Sequence, residues 1–211
     1  MSLEQMEHGD VVFVEPRNDL RVIVSVPGRY SLADQRNARG ERRVFGCRAV
    51  YLSAHEIGIA GPVSGKVGER VIANIDHLGK VEGPIARLLT RGFMMKIAAN
   101  AERREALAAK IEWLEDYKNH DASNRRSDER MVPENLYSKL VFADGSVETC
   151  LILNLSVSGA AISAETVPEI RTVLAVGSVV GRVVRHFEGG FAVQFIERQS
   201  HGTVESVVTG G

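Results

Sequence analysis

The sequence predicts an all-β protein with a linker helix, in which two antiparallel β-barrels stand in tandem. Three observations predict it. First, the chain repeats itself: Gly83, Arg87, Gly92 and Phe93 return as Gly181, Arg185, Gly190 and Phe191 at a constant offset of 98, and Cys47, Leu52 and Ser53 return as Cys150, Leu155 and Ser156 at an offset of 103. Two copies of this length suggest a duplicated domain rather than a solenoid. Second, each half is a series of short apolar or alternating runs broken by Gly, Pro, Asn and Asp, the pattern of closely spaced strands. Closing such strands into a barrel removes their exposed edges. Third, the period turns helical only between the halves.

In the first half the runs are VVFVEP (11–16), RVIVSV (21–26), FGCRAVYLS (45–53), ERVIANI (69–75), GPIARLL (83–89) and GFMMKIA (92–98). The second half offers YSKLVF (137–142), SVETCLILNLS (146–156), TVLAVGSVVGRVVRHF (172–187) and GFAVQFIE (190–197). ADGS at 143–146 reads as a hairpin turn, because Asp-Gly tolerates positive φ. Between the halves, NAERREALAAKIEWLEDYKNH (100–120) is rich in Ala, Glu, Lys and Leu and free of Gly and Pro, hence a helix. Asn100 suits the N-cap, and Leu107, Ile111, Leu114 and Tyr117 form one apolar stripe, expected either to cover a barrel end or to make a dimer seam. The domains are therefore a flexible N-terminus (1–14), a first barrel (15–98), a helical linker (99–123), a second barrel (124–199) and a flexible C-terminus (200–211).

Composition narrows the function. Of 211 residues, 26 are Lys or Arg and 27 Asp or Glu, a net charge of −1, so any anion site is local. Aromatics are 6% of the chain, few for a nucleic-acid barrel that interleaves rings with basic strand residues, so nucleic acid is not an expected partner. No apolar run approaches the ~18–20 residues needed to span a bilayer, and the polar N-terminus MSLEQMEHGD is no secretory signal. The expectation is a reduced, cytoplasmic chain with no membrane partner, in which Cys47 and Cys150 act as small buried hydrophobes. The six histidines are scattered, without metal-ligand spacing, and His55, His77 and His186 have no partners in a triad-like order. Neither a metal site nor an enzyme is expected. The basic run Arg36, Arg39, Arg42 and Arg43 reads as a solvated hairpin tip, Arg87 and Arg185 as exposed strand arginines, and Trp113 as a packing residue.

One cluster stands apart. NRRSDER (124–130) brings Arg125, Arg126 and Arg130 into a polar gap, and NLSVSG (154–159) follows on a strand. Asn154 and Ser156, two apart, share one strand face. Gly159, where the strand must turn, permits positive φ or close approach of a ligand. Guanidinium forks match phosphate oxygens and the O6/N7 edge of guanine.

This pairing of RxxxR with NxSxxG about 25 residues on resembles the PilZ domain, a β-barrel receptor for bacterial cyclic di-GMP. The resemblance covers about 124–198 well and 15–98 loosely. It implies two PilZ-like six-stranded antiparallel β-barrels. It also implies that Arg126 and Arg130 hold guanine edges and phosphates while Asn154, Ser156 and Gly159 shape the floor under the other guanine. A basic residue at Arg125 accompanies an intercalated ligand dimer in this family. The first copy departs from the pattern: Arg17 and Arg21 keep RxxxR and Ser53 survives, but Tyr51 and Glu56 replace Asn and Gly. This degenerate site is expected not to bind. The function expected is a receptor that changes conformation on binding and acts on motility or exopolysaccharide output through a protein partner, with a homodimer possible. The alternative is a ligand-independent adapter built from two barrels.

Overall fold

The structure, a computed structural model, describes residues 20–121 and 131–210. The strand expected at 11–16 lies outside them, as does the N-terminal segment 1–14. Two closed six-stranded antiparallel barrels are joined by one long helix. The first barrel comprises β1 (Val22–Leu32), β2 (Phe45–Leu52), β3 (Glu56–Ala60), β4 (Arg70–Ile75), β5 (Gly79–Leu88) and β6 (Phe93–Lys96). After α1 (Ala101–Asp121) the second comprises β7 (Tyr137–Phe142), β8 (Val147–Ser156), β9 (Gly159–Ser163), β10 (Val173–Val176), β11 (Val179–Phe187) and β12 (Gly190–Phe195), and α2 (Val204–Thr209) follows. Strand order is β1-β2-β3-β6-β5-β4 in the first and, position for position, β7-β8-β9-β12-β11-β10 in the second. The sequence repeat is thus a repeat of topology.

The repeated glycines have a packing cause. A Cβ on Gly92 would run into the carbonyl oxygen of Ile59, and one on Gly190 into that of Ile162. These two carbonyls are themselves repeat equivalents, so each glycine lets the β5–β6 or β11–β12 turn lie against the neighbouring strand.

Three expectations need correction. β3 and β9 are strands that the sequence pattern did not announce. Most of their residues are buried, so there is no polar alternation to read. The run 172–187 is two strands, separated by Gly177 at φ 60°. The C-terminus expected to be flexible instead forms α2. Val204 and Val208 of that helix belong to the second barrel's core, and Ser178 donates its backbone N–H to the Val207 carbonyl at 2.9 Å.

The hairpin at 143–146 forms as expected. Gly145 has φ 84°, and Phe142 N–H donates to the Ser146 carbonyl at 2.9 Å. Asn100 caps α1 by accepting the Arg103 N–H at 2.9 Å. Leu107, Ile111 and Leu114 are buried in the first barrel's core, so the helix covers a barrel end; the Tyr117 side chain lies outside the described residues. Cys47 and Cys150 are free, buried core thiols. Trp113, 49% exposed, packs its ring beside His77 at 5.4 Å between centroids. No helix among the described residues is long and apolar enough to cross a membrane.

The barrels touch through a small apolar cluster of Ala60, Tyr137 and Leu151 with Val50, Leu136 and Leu153 against it. A backbone bond crosses beside it, from Gly46 N–H to the Gly189 carbonyl at 2.7 Å.

Candidate functional site

The shelf of the second barrel owes its face to a β-bulge. Cys150 and Ile152 point into the core, and strict alternation would send Asn154 and Ser156 inward after them. The β8–β9 register slips between Ile152 and Asn154, leaving Leu153 as an extra residue. Leu155 therefore takes the next core position, fully buried, while Asn154 and Ser156 flank it half-buried on the outer side. A one-residue slip exchanges the two faces of a strand, and here it places the two motif side chains on the outside of the barrel. The first barrel repeats the device: β2 slips between Ala49 and Tyr51, so Leu52 is buried in the core.

Ser156 has a second task. Its hydroxyl donates to the Gly159 carbonyl at 3.2 Å across the Val157–Ser158 turn. Ser53 donates to the Glu56 carbonyl at the same 3.2 Å and accepts the Glu56 N–H at 3.0 Å. The serine shared by both copies is a lock on its hairpin. Gly159 was expected to supply positive φ or room for a ligand, and the first of these is corrected. It has no positive φ, and the direction its Cβ would take is filled by the Val193 carbonyl of β12. The close approach that requires glycine is that of a neighbouring strand.

Arg125, Arg126 and Arg130 lie outside the described residues, as does Arg17. The chain re-enters the described structure at Met131, which pairs with Leu155: Met131 N–H donates to the Leu155 carbonyl at 2.7 Å, and Leu155 N–H to the Met131 carbonyl at 2.8 Å. The residue next to the RxxxR motif is thereby fastened to β8 between Asn154 and Ser156.

In the first barrel more of the corresponding place is described. A cavity of about 580 Å³ is lined by Arg21, the second arginine of the first RxxxR, together with Tyr51, Ser53 and Glu56, the positions equivalent to Asn154, Ser156 and Gly159. His55, Lys96 and Arg104 also line it.

Sequence reasoning missed Arg48. This β2 side chain is only 6% exposed and crosses to the other barrel. It donates to Ser25 Oγ at 2.7 Å, to the Ser25 carbonyl at 2.9 Å and to the carbonyl of Leu153, the bulge residue, at 3.0 Å. Burial lowers its pKa, and all three acceptors are neutral oxygens. An arginine inside the run CRAVYLS was a signal, since the strand around it is apolar. The other arginines behave more plainly. Arg36 and Arg42 bridge an exposed hairpin and Arg39 is exposed, but Arg43 reaches the Glu165 carbonyl of the second barrel. Arg87 and Arg185 are exposed strand residues, and His186 Nε2 sits 2.7 Å from the Pro168 carbonyl. Among the described residues no group of three or more His, Cys, Asp or Glu is placed to hold a metal ion.

No family model matches the chain, and no curated protein matches it. Among solved structures, it is similar to Borreliella burgdorferi PlzA in complex with c-di-GMP, at 12% identity over 89% of this chain and 91% of that one, with a TM-score of 0.27. It is likewise similar to the K. pneumonia MrkH–c-di-GMP complex (12% identity, 86% and 83% covered, TM-score 0.26). The Bacillus subtilis inhibitor of motility MotI/DgrA shows 11% identity over 89% and 94% of the two chains, with a TM-score of 0.29. Likeness this slight leaves the reading of the site to its own residues.

Proposed function

We propose that this protein is a cyclic di-GMP receptor of the PilZ type, whose second barrel binds the ligand between the arginine segment and the β8 shelf without chemistry. The observation that carries the reading is the pairing of Met131 with Leu155, which anchors the end of the RxxxR segment beside Asn154 and Ser156. Arg130 precedes the anchor by one residue. Arg126 precedes it by five, which a chain spans in at most about 18 Å. Both guanidinium groups are thus within reach of a ligand on the shelf. The internal repeat supports the same arrangement, because Arg21 shares a cavity with Tyr51, Ser53 and Glu56 in the first barrel.

Charge-assisted hydrogen bonds contribute roughly 1.5–3 kcal/mol each. Three or four of them, less the cost of ordering the segment, leave micromolar binding, about −8 kcal/mol. In this reading Arg126 and Arg130 take guanine edges and phosphates, Asn154 bonds a base on the shelf, and Arg125 faces the added phosphates of an intercalated dimer. Closing of the segment would change the contacts around β8 and, through Arg48, the relation of the barrels. The output proposed is control of motility or exopolysaccharide through a protein partner.

Calorimetric titration with cyclic di-GMP tests the reading. Wild type binds with micromolar affinity, and Arg126→Ala or Arg130→Ala each weakens binding roughly tenfold to a hundredfold. Arg17→Ala leaves it unchanged. Two ligands per chain, falling to one in Arg125→Leu, supports the dimer; one per chain, unchanged by Arg125→Leu, rejects it. Wild-type affinity in Arg126→Ala rejects the site.

A further inference from the structure

The cavity described above lies on the barrel whose motif has decayed. Its wall carries three cations, Arg21, Lys96 and Arg104, against one carboxylate, Glu56. Arg21 and Lys96 are exposed, and neither makes an ion pair or side-chain hydrogen bond among the described residues, although Glu56 stands opposite Lys96 in the β3–β6 register. Arg104 is held in place. Its Nε donates to the Ala99 carbonyl at 3.0 Å, and its Nη1 contacts His55 Nδ1. A guanidinium has no acceptor, so His55 Nδ1 accepts and the ring carries its proton on Nε2. The cavity therefore presents three cationic heads, one imidazole N–H donor, one carboxylate acceptor and the half-buried ring of Tyr51.

We infer that this cleft is a second, separate ligand site, and that it takes a nucleoside monophosphate. A phosphate monoester carries about −1.5 to −2 at pH 7, which matches three cations less one carboxylate. The volume of about 580 Å³ falls within the roughly 300–1,000 Å³ of small-molecule sites and far exceeds the needs of free phosphate. Arg21, Lys96 and Arg104 hold the phosphate. Tyr51 offers a surface for stacking by a base, and Glu56 accepts from the N–H groups of that base. Tyr51 and Glu56, the two residues that depart from the second barrel's motif, become the selective elements of the first. Because Arg104 belongs to the first turns of α1, occupancy would tie the linker helix to the barrel. The inference does not depend on cyclic di-GMP binding to the second barrel.

Calorimetry of the full chain with GMP, AMP and inorganic phosphate tests it. At least one mononucleotide binds with a stoichiometry of one. Lys96→Ala and Arg21→Ala, both surface changes that leave the core intact, each weaken it at least tenfold. Tyr51→Ala weakens it more than Tyr51→Phe, and Arg126→Ala leaves it unchanged. The inference is overturned if neither mononucleotide binds at millimolar concentration, if Lys96→Ala binds as wild type does, if Arg126→Ala abolishes the binding, or if inorganic phosphate binds as tightly as the nucleotides.

Discussion

Arg48 of the first barrel donates a hydrogen bond to the main-chain carbonyl of Leu153 in the second, 3.0 Å away, and Leu153 is the bulge residue that turns Asn154 outward. The bulge beside Asn154 and Ser156 in one barrel is thereby braced by a buried cation of the other. Removing the guanidinium leaves the Leu153 carbonyl without this partner, a loss of about 1–3 kcal/mol. Arg48→Met, which keeps most of the apolar stem, should lower the free energy of unfolding in urea by that amount. It should also weaken cyclic di-GMP binding severalfold, less than Arg126→Ala does. Unchanged stability and affinity would show that the brace is dispensable.

Ser156 separates fold from ligand. Its hydroxyl locks the β8–β9 turn by bonding the Gly159 carbonyl at 3.2 Å, as Ser53 does at Glu56. Loss of one such bond costs about 0.5–1.5 kcal/mol. Ser156→Ala should therefore destabilise by about that much in thermal denaturation without ligand, and Ser53→Ala, which also loses the Glu56 N–H bond, by more. A shift in Ser156→Ala alone would mean that the shared serine is not a shared lock.

The C-terminal helix is structural. Val208 is fully buried, and Ser138 donates its hydroxyl to the Val208 carbonyl. Val208→Ala should cost about 1.5–3 kcal/mol, and a stop after residue 203 should cost more, both read from urea unfolding. An undiminished midpoint in the truncated chain would return 204–211 to the status of a loose end.

Stability should fall in alkali. Burial pushes the Cys150 thiol and the Tyr137 phenol each up to about 12, and raises Cys47 and Tyr30 as well. These groups keep their protons longer folded than unfolded. Their contribution is complete below the unfolded thiol value of about 8.5 and is lost as pH rises toward about 12. Each thiol accounts for roughly 1–2 kcal/mol of the loss by pH 10. A series of urea midpoints from pH 7 to 10.5 should decline from about pH 8.5. The Cys47→Ala, Cys150→Ala double variant should stay level until the phenols ionise.

Much of this architecture was legible because duplication writes the same constraints twice. Gly92 and Gly190 recur because each meets an equivalent carbonyl, and the apolar stripe of α1 is plain because Leu107, Ile111 and Leu114 share one face. β3 was hidden because a strand buried on both faces loses its alternation, and β9 because its half-buried positions, Gly159 and Ala161, are small and not polar. α2 was hidden because six residues are too few to show a period. At the site, spacing put Asn154 and Ser156 on one face correctly, but only the bulge at Leu153 decides that the face is the outer one. Gly159 was read as a place for positive φ or for a ligand's close approach; it has no positive φ, and the carbonyl packed against it belongs to Val193, too distant in sequence for spacing to show. Arg48 owes its role to a partner 105 positions away, beyond any local pattern.

The most direct measurement is amide chemical-shift mapping on the full chain as cyclic di-GMP is added. The account predicts the largest changes at Met131, Asn154 and Ser156, with smaller ones at Leu153 and Arg48, all of them displaced to roughly tenfold to a hundredfold higher ligand concentration in Arg126→Ala. Largest changes at Ser53, His55 and Glu56 of the first barrel, or none in either barrel at saturating ligand, would contradict it.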